Sequence, residues 1–372
     1  MTDLHIDYRR TAELQRLLRA WDEQIAAEGP VALHRWTNLA IWPSARSATI
    51  AGSTGIEGNP LSAEQVDDIL TGGTVAATAS DIRDVRNYNS ALEIANRAAL
   101  RPDFDWSQEL LRRLNGAITA GLHGDELGEY RREPVIVGGA YEPPDHRVVP
   151  VLMAELVDWL RVERDEHTLI RAGLAHLNVV SIHPWLDGNG RTSRVVGSLV
   201  LMRHGIAAPE LVNIESAIRA NPGAYVDALQ TTHGPTYQPD HHPATAWLEY
   251  FAELSVDRLE LRARLEAAMQ ADIGLLSMEL DQAGHPASWI PLLLAARIAP
   301  VRTTQVAVPL GLSGARVRAM LAEAVTAGWI RSEGENRGRR YLATPRLDAL
   351  PLRTPEVMRR LRRGAPVDEP YM

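Results

Sequence analysis

Between two helical patterns, the stretch SIHPWLDGNGRTSR (residues 181–194) gathers a histidine, a carboxylate, a Gly-Asn-Gly turn and two arginines three apart. Pro184 follows His183 and disfavours α geometry at the histidine. The helix LIRAGLAHLNVVSI should therefore end there and leave the imidazole at the entrance to a loop, where it can serve as a base. Gly188 and Gly190 flank Asn189, three residue types that tolerate positive φ, so successive backbone N–H groups can turn inward as an anion-binding nest. The helix that follows adds its own unpaired donors and the positive end of its dipole. Arg191 and Arg194 occupy neighbouring positions of its first turn, where two guanidinium forks can reach successive phosphates. Asp187 is a hard oxygen ligand suited to Mg2+ that bridges phosphates and keeps most of its waters. A base, a metal ligand, a phosphate nest and two arginines suggest metal-assisted transfer from a nucleoside triphosphate, with positioning and charge stabilisation supplying most of the rate.

The rest of the composition narrows the chemistry. There is no cysteine, and all 39 basic residues are arginine. Thiol nucleophiles, disulfides, P-loops and Schiff-base lysines are thereby excluded, and phosphate must be handled by arginine and backbone. The missing lysine itself reads as GC-rich coding drift. No run of eighteen apolar residues occurs, and the N-terminus MTDLHIDYRRTAELQ has no apolar h-region. A soluble, folded, cytoplasmic protein is the expectation. The net charge of −8 is unevenly spread: from Trp289 onward fourteen Arg face seven Asp plus Glu, leaving −15 for the preceding residues. That asymmetry hints at a C-terminal module with an anionic partner.

The elements that must position the central motif are mostly helical, with apolar residues at three- and four-residue spacing in AELQRLLRAWDEQIA, DIRDVRNYNSALEIANRAAL, SQELLRRLNGAITAGL and VLMAELVDWLRVER. EPVIVGGAYEPP reads as a small β-hairpin, a β-branched run, a Gly-Gly turn and a Pro-Pro stop. Trp36, Trp42, Trp159 and Trp247 fall in apolar helical pattern and are expected in the core or at a domain interface. His241 and His242 lack further ligands at helical spacing and read as loop residues rather than a metal site. The last part, TTQVAVPLGLSGARVRAMLAEAVTAGWIRSEGENRGRRYLAT, has the order of a winged helix-turn-helix. In it Arg316, Arg318, Arg337, Arg339 and Arg340 can meet DNA phosphates; the same fold also serves for protein docking or for a homodimer. The expected organisation is mainly α: an N-terminal helical region over 1–100, a helical core with the flap-like hairpin over 101–270, a winged helix-turn-helix over 289–345 and a tail over 346–372.

HPWLDGNGRTSR closely resembles the signature of the Fic family: His-Pro-Phe, two residues, Gly-Asn-Gly-Arg, two more, and Arg. The resemblance covers roughly residues 30 to 260. It implies an all-helical core and transfer of a nucleoside monophosphate, most often AMP from ATP, onto a Ser, Thr or Tyr hydroxyl of a target protein or of the chain itself. On that likeness His183 is the general base and Asp187 the Mg2+ ligand. Gly188, Asn189 and Gly190 hold the α- and β-phosphates, Arg191 contacts the β-phosphate and Arg194 the γ-phosphate, with Thr192 beside them among the nucleotide-binding residues. Trp185 stands where the family usually has Phe, which suggests an enlarged anchoring pocket for the loop. GEYRREPVIVGGAYEPP resembles the family's flap, so Val135, Ile136 and Val137 would hold the target segment by strand addition. AIRANPGAYVDAL is similar to the segment lining the base side of the nucleotide, which makes Asn221 and Tyr225 further candidates.

STGIEGN, residues 53–59, resembles the family's inhibitory motif, a Ser or Thr, three residues, then Glu-Gly or Glu-Asn. The likeness implies that Ser53 and Glu57 are regulatory and that Glu57 pairs with Arg194. A carboxylate in the guanidinium fork denies it to the γ-phosphate, so ATP binds without its α-phosphate aligned for attack. The expected function is an autoinhibited protein adenylyltransferase. The alternatives are a DNA-binding regulator with a nucleotide-sensing core, or removal of AMP or transfer of UMP at the same site.

Overall fold

The computed structural model describes residues 3–28, 41–122, 128–162, 166–206, 210, 212–335 and 339–368. Trp36 and Arg337 lie outside them. The apolar spacing forms helices α1 (Ala12–Glu28), α2 (Trp42–Ile56), α3 (Ala63–Leu70), α4 (Ala79–Ala99), α5 (Gln108–Ile118), α6 (Val149–Arg161), α7 (Thr168–Ile182), α8 (Asn189–Arg203), α9 (Ile214–Ala220), α10 (Pro222–His233) and α11 (Thr245–Gln282). Side chains start several of them. Ser62 and Gln65 form a capping box on α3, Thr78 and Asp81 another on α4, and Ser107 caps α5. Each satisfies backbone donors that a helix start leaves open.

At the centre α7 packs along α8, with α4 and α5 against α8 and α11 against α7. The pair is buried nearly all round, as the apolar circumference of α7 requires. The candidate motif is the turn joining these two helices, so two largely buried helices fix its ends. Trp247 and Trp159 are buried, whereas Trp42 is half-buried beneath the Arg46 guanidinium. The N-terminus is tied to α7 by a reciprocal pair: His5 N–H donates to Asn178 Oδ1 (2.8 Å), and Asn178 Nδ2 donates to the His5 carbonyl (2.9 Å). Among the described residues no helix is long and apolar enough to cross a membrane.

The C-terminal part runs α12 (Ile290–Ile298), α13 (Thr303–Leu310), α14 (Gly314–Thr326), β1 (Ile330–Glu333), β2 (Arg340–Ala343), α15 (Pro345–Asp348) and α16 (Thr354–Arg363). β1 and β2 pair antiparallel, Ile330 opposite Ala343 and Glu333 opposite Arg340, and Val301 bridges Tyr341 on the other edge. Arg302 and Arg340 both reach Asp68 on α3, at 3.1 and 3.3 Å. Arg316, Arg318 and Arg339 are exposed.

The segment expected as a tail carries α16, which packs on α2, α9 and α11. Its N-terminus is capped from outside by the buried Asp272, which accepts from the N–H groups of Arg353 (2.9 Å) and Thr354 (2.8 Å). Val357, Met358 and Leu361 form its buried stripe. Five arginines among its neighbours disguise that stripe in the sequence. The hydrophobic core is continuous from Leu4 to Val367.

Candidate active site

His183 ends α7 in the left-handed region, at φ 50° and ψ 57°. The expected departure from α geometry before Pro184 is present, but toward αL rather than the extended region that a following proline favours. Such backbone in a non-glycine residue is uncommon and has to be held by its surroundings. Buried Arg131 does this. Its Nε donates to the His183 carbonyl (2.9 Å) and its backbone N–H to the Pro184 carbonyl (2.9 Å). Its other guanidinium nitrogens reach the carbonyls of Glu133 (3.1 Å) and Pro144, so one side chain staples the hairpin segment to the loop.

The imidazole Nδ1 lies 3.2 Å from the Val180 carbonyl. That contact makes Nδ1 the protonated nitrogen and leaves the lone pair on Nε2. Burial lowers the His183 pKa to about 4; the Val180 carbonyl, Glu57 and Asp187 oppose the shift, and Arg131 adds to it. At neutral pH the ring is therefore uncharged and able to accept a proton.

The loop is closed by its own side chains. Asn189 Oδ1 accepts from the Trp185 N–H (3.0 Å) while its Nδ2 donates to the Trp185 carbonyl (2.8 Å). Trp185 is buried, and its indole N–H donates to the Gly128 carbonyl (3.0 Å), so the large ring anchors the loop with its one polar atom satisfied. Gly188, at φ 79°, abuts α5: a Cβ there would lie 2.9 Å from Asn115 Nδ2 and 3.0 Å from Thr119 Cγ2. Asn115 Nδ2 donates to the Asp187 carbonyl (2.9 Å) and to the Thr192 hydroxyl (3.2 Å). Thr192 is thus a buried brace between α5 and the start of α8. The open N–H groups of the first α8 turn begin immediately after Gly188.

The two arginines of that turn face different acids. Arg191 donates to Asp187 Oδ1 (2.8 Å) and lies 3.9 Å from Asp84. Arg194 is fully buried, with Nε donating to Ser53 Oγ (2.8 Å) and Nη2 to the Ser53 carbonyl (3.0 Å) and to Glu57 Oε1 (2.8 Å). Burial disfavours its charge, but Glu57, Tyr225 and Tyr88 outweigh that and raise its pKa. Nη1 is buried without a hydrogen-bond partner among the described residues. A Cβ placed on Gly190 would lie 2.6 Å from Glu57 Oε1 and 3.2 Å from Arg194 Nη1. The Glu57 carboxylate therefore sits directly over Gly190 in the first turn of α8, half open to solvent on its outer side.

Of the remaining candidates Tyr225 adjoins Arg194, and the others are dispersed. The hairpin closes through one bridge, Val137 with Tyr141, across Gly138 and Gly139, both at positive φ. Val135 and Ile136 lie outside any ladder, and the Ile136 side chain is exposed. Asn221 is an exposed cap of α10, accepting from Ala224 N–H (3.4 Å). Tyr225 is buried among Trp247, Tyr250 and His176, with its hydroxyl 3.0 Å from His176 Nε2. Burial raises its pKa to about 12. His241 bonds to Gln238. Among the described residues no three His, Asp or Glu side chains converge as a metal cage.

Sequence reasoning missed Arg131, Asn115 and Asp84. Asn115 carried a faint signal, a polar residue in the apolar stripe of LLRRLNGAI; Arg131 and Asp84 carried none beyond their charge.

Residues 105–201 match the family model described as Fic/DOC family. The chain is 35% identical over 158 residues to the protein adenylyltransferase Fic of Drosophila willistoni, a match covering 41% of this chain and 31% of that protein. With the protein adenylyltransferase Fic of Culex quinquefasciatus it shares 29% identity over 232 residues, 61% of this chain and 43% of that one. The chain thus spans less than half the length of either curated relative. Among solved structures, a Fic family protein from Desulfovibrio desulfuricans G20 superposes with a TM-score of 0.61 at 25% identity, covering 91% of this chain and 98% of that one.

Proposed function

We propose, for a chain that carries a Fic/DOC family domain and is thereby a Fic family protein, an autoinhibited adenylyltransferase that moves AMP from ATP to a Ser, Thr or Tyr hydroxyl. The acceptor belongs to a target protein or to the chain itself. The observation that carries the reading is the Glu57 carboxylate bonded to Arg194 over Gly190. It occupies the place where a backbone nest and an arginine fork would together hold a phosphate.

With Glu57 withdrawn, Arg194 and the N–H groups of the α8 turn would clamp the polyphosphate and set the α-phosphorus before His183. His183 Nε2 takes the proton of the acceptor hydroxyl as its oxygen bonds to the α-phosphorus. The bond from that phosphorus to the oxygen bridging the β-phosphate breaks, and pyrophosphate leaves. Mg2+ fits the donor set, since one carboxylate, Asp187, beside a phosphate nest is what that ion uses when phosphates and waters fill its other positions; it would supply charge neutralisation. Exposed Ile136, outside any ladder, favours strand addition of a target segment along residues 135–137. The helix, helix and hairpin order supports a winged helix for residues 289–345, and the pairing of Arg340 with Asp68 favours docking over DNA binding as its role.

The test is incubation with labelled ATP. Glu57→Gly should raise self-labelling at least tenfold, and adding His183→Ala should abolish the gain. Equal labelling by the single and double variants would remove His183 as the base. Mass spectrometry of the labelled protein identifies the group added and separates AMP from UMP.

A further inference from the structure

A second cleft, of about 660 Å³, opens between α2, α9, α12 and α16, lined by Ala51, Gly52 and five arginines: Arg219, Arg297, Arg359, Arg362 and Arg363. Three of these charges are matched: Arg297 by Asp348 (3.3 Å), Arg359 by Glu356, and Arg362 by Glu64 (3.0 Å). Glu64 is the one acid in the lining. Arg219 and Arg363 have no carboxylate within ion-pair distance among the described residues. Arg219 instead donates through Nη1 to the carbonyls of Ala51 (2.9 Å) and Leu61 (3.1 Å), so its charge is solvated by two neutral acceptors and is uncompensated.

That side chain also reaches the regulatory turn. A Cβ on Gly55 would lie 2.4 to 2.7 Å from Arg219 Nε, Cζ and Cδ, so the guanidinium stem crosses α2 two residues before Glu57. The turn itself is held by the N–H groups of Glu57 and Asn59 on the Thr54 carbonyl and of Gly58 on the Gly55 carbonyl. One arginine therefore lines the cleft at one end and pins the segment on both sides of Glu57 at the other.

We propose that this cleft binds a phosphorylated small molecule, and that Arg219 passes its occupancy to the turn carrying Glu57. The concave shape and volume are those of a small-molecule site. Guanidinium forks from separate helices suit the oxygens of a phosphate, which Arg binds bidentately. Pro60, Ala63 and Ile298 supply an apolar wall for the rest of the ligand. A phosphate that recruits Arg219 takes it from the Ala51 and Leu61 carbonyls, so occupancy loosens the turn; a ligand shifts an equilibrium only by such differential contacts. The consequence for activity rests on the reading of Glu57 as the inhibitor, but neither half of the proposal needs an activity measurement.

The full chain is titrated calorimetrically with inorganic tripolyphosphate, and amide hydrogen exchange is followed in peptides spanning residues 51–61. Wild type should bind, and Arg363→Gln, an exposed position outside the active site, should bind at least tenfold more weakly. Exchange in residues 54–61 should quicken several-fold on addition to wild type and stay unchanged in the variant at the same concentration. Absence of binding, or equal affinity in Arg363→Gln, overturns the site, the second result assigning the probe to the α8 nest. Weakened binding in Arg363→Gln without any change in wild-type exchange overturns the link through Arg219. Self-labelling of Glu57→Gly is a separate result, so failure of either reading is seen independently.

Discussion

A buried guanidinium is costly unless its N–H groups have acceptors; Arg194 has three, two from Ser53 and one from Glu57, all on Nε and Nη2. Ser53 is buried and fixed, whereas the Glu57 side chain is 40% exposed. Glu57 can thus exchange the arginine for water at small desolvation cost, while Arg194 cannot follow it. Such asymmetry suits a releasable lock, with one partner immobile and the other poised at the surface. The Glu57 carboxylate also acts, as a smaller contribution, on the neighbouring imidazole of His183. The His183 pKa is lowered to about 4 by burial, and Glu57 is among the groups holding it up. An NMR titration of the His183 ring, assigned with His183→Ala, should give a midpoint well below the ordinary value of about 6.5. In Glu57→Gly the midpoint should fall further, since a negative neighbour is removed. A midpoint at or above 6.5 in wild type would mean an imidazole in contact with bulk water, and the case for a neutral base held in a closed pocket would be lost.

Helix α2 carries Ser53 and ends at its C-cap Glu57, so local sequence and the proposed regulation meet there. Its buried small residues let it approach α9 at backbone distance: a Cβ on Gly52 would lie 2.7 Å from Glu215 C and from Ser216 N. Backbone cannot yield as a side-chain tip can, so Gly52→Ala must shift α2 as a whole. The cost should be ~1–3 kcal/mol, the usual range for overpacking, and the shift should move Ser53 and Glu57 off Arg194. Urea unfolding is expected to show that loss, and self-labelling should rise although Glu57 is intact. Full stability with unchanged labelling would show that α2 is not held in place by α9. The helices themselves were largely legible from spacing, as was the helix start that places Arg191 and Arg194 on one turn; of the Gly-Asn-Gly residues only Gly188 takes positive φ, and Asn189 and Gly190 begin the helix. What spacing left open was direction. Pro184 disfavours α geometry at His183 and favours extended backbone; the left-handed backbone found instead is held by Arg131, fifty-two positions away. In α16 the arginines masked an apolar stripe that packing on α2, α9 and α11 reveals.

At the scale of the whole molecule, the candidate site is a meeting of segments far apart in sequence: Ser53 and Glu57, Asn115, Arg131, and the 183–194 turn. Short-range pattern locates each piece but holds no record of which carbonyl a distant Asn115 will reach. Burying this many polar groups leaves a signature in acid stability. His5, His183 and His233 have pKa values lowered to about 4, and His176 is lowered well below its ordinary value, in each case chiefly by burial. Between the ordinary histidine value and about pH 4 the unfolded chain binds these protons and the folded chain does not, so stability falls as pH falls through that window, by ~1.4 kcal/mol per pH unit for each proton. Glu215 acts oppositely: burial raises its pKa to about 7, so its contribution is present at low pH and lost as pH rises. Asp67 and Asp84, also raised by burial, share that sign. The four histidines outnumber the one glutamate and the two aspartates. Urea midpoints should therefore decline from pH 7 to pH 5, and His233→Gln should flatten the decline. A midpoint constant or rising toward pH 5 would mean that the histidines are solvated in the folded chain and that the closed packing around the α7–α8 turn is wrong.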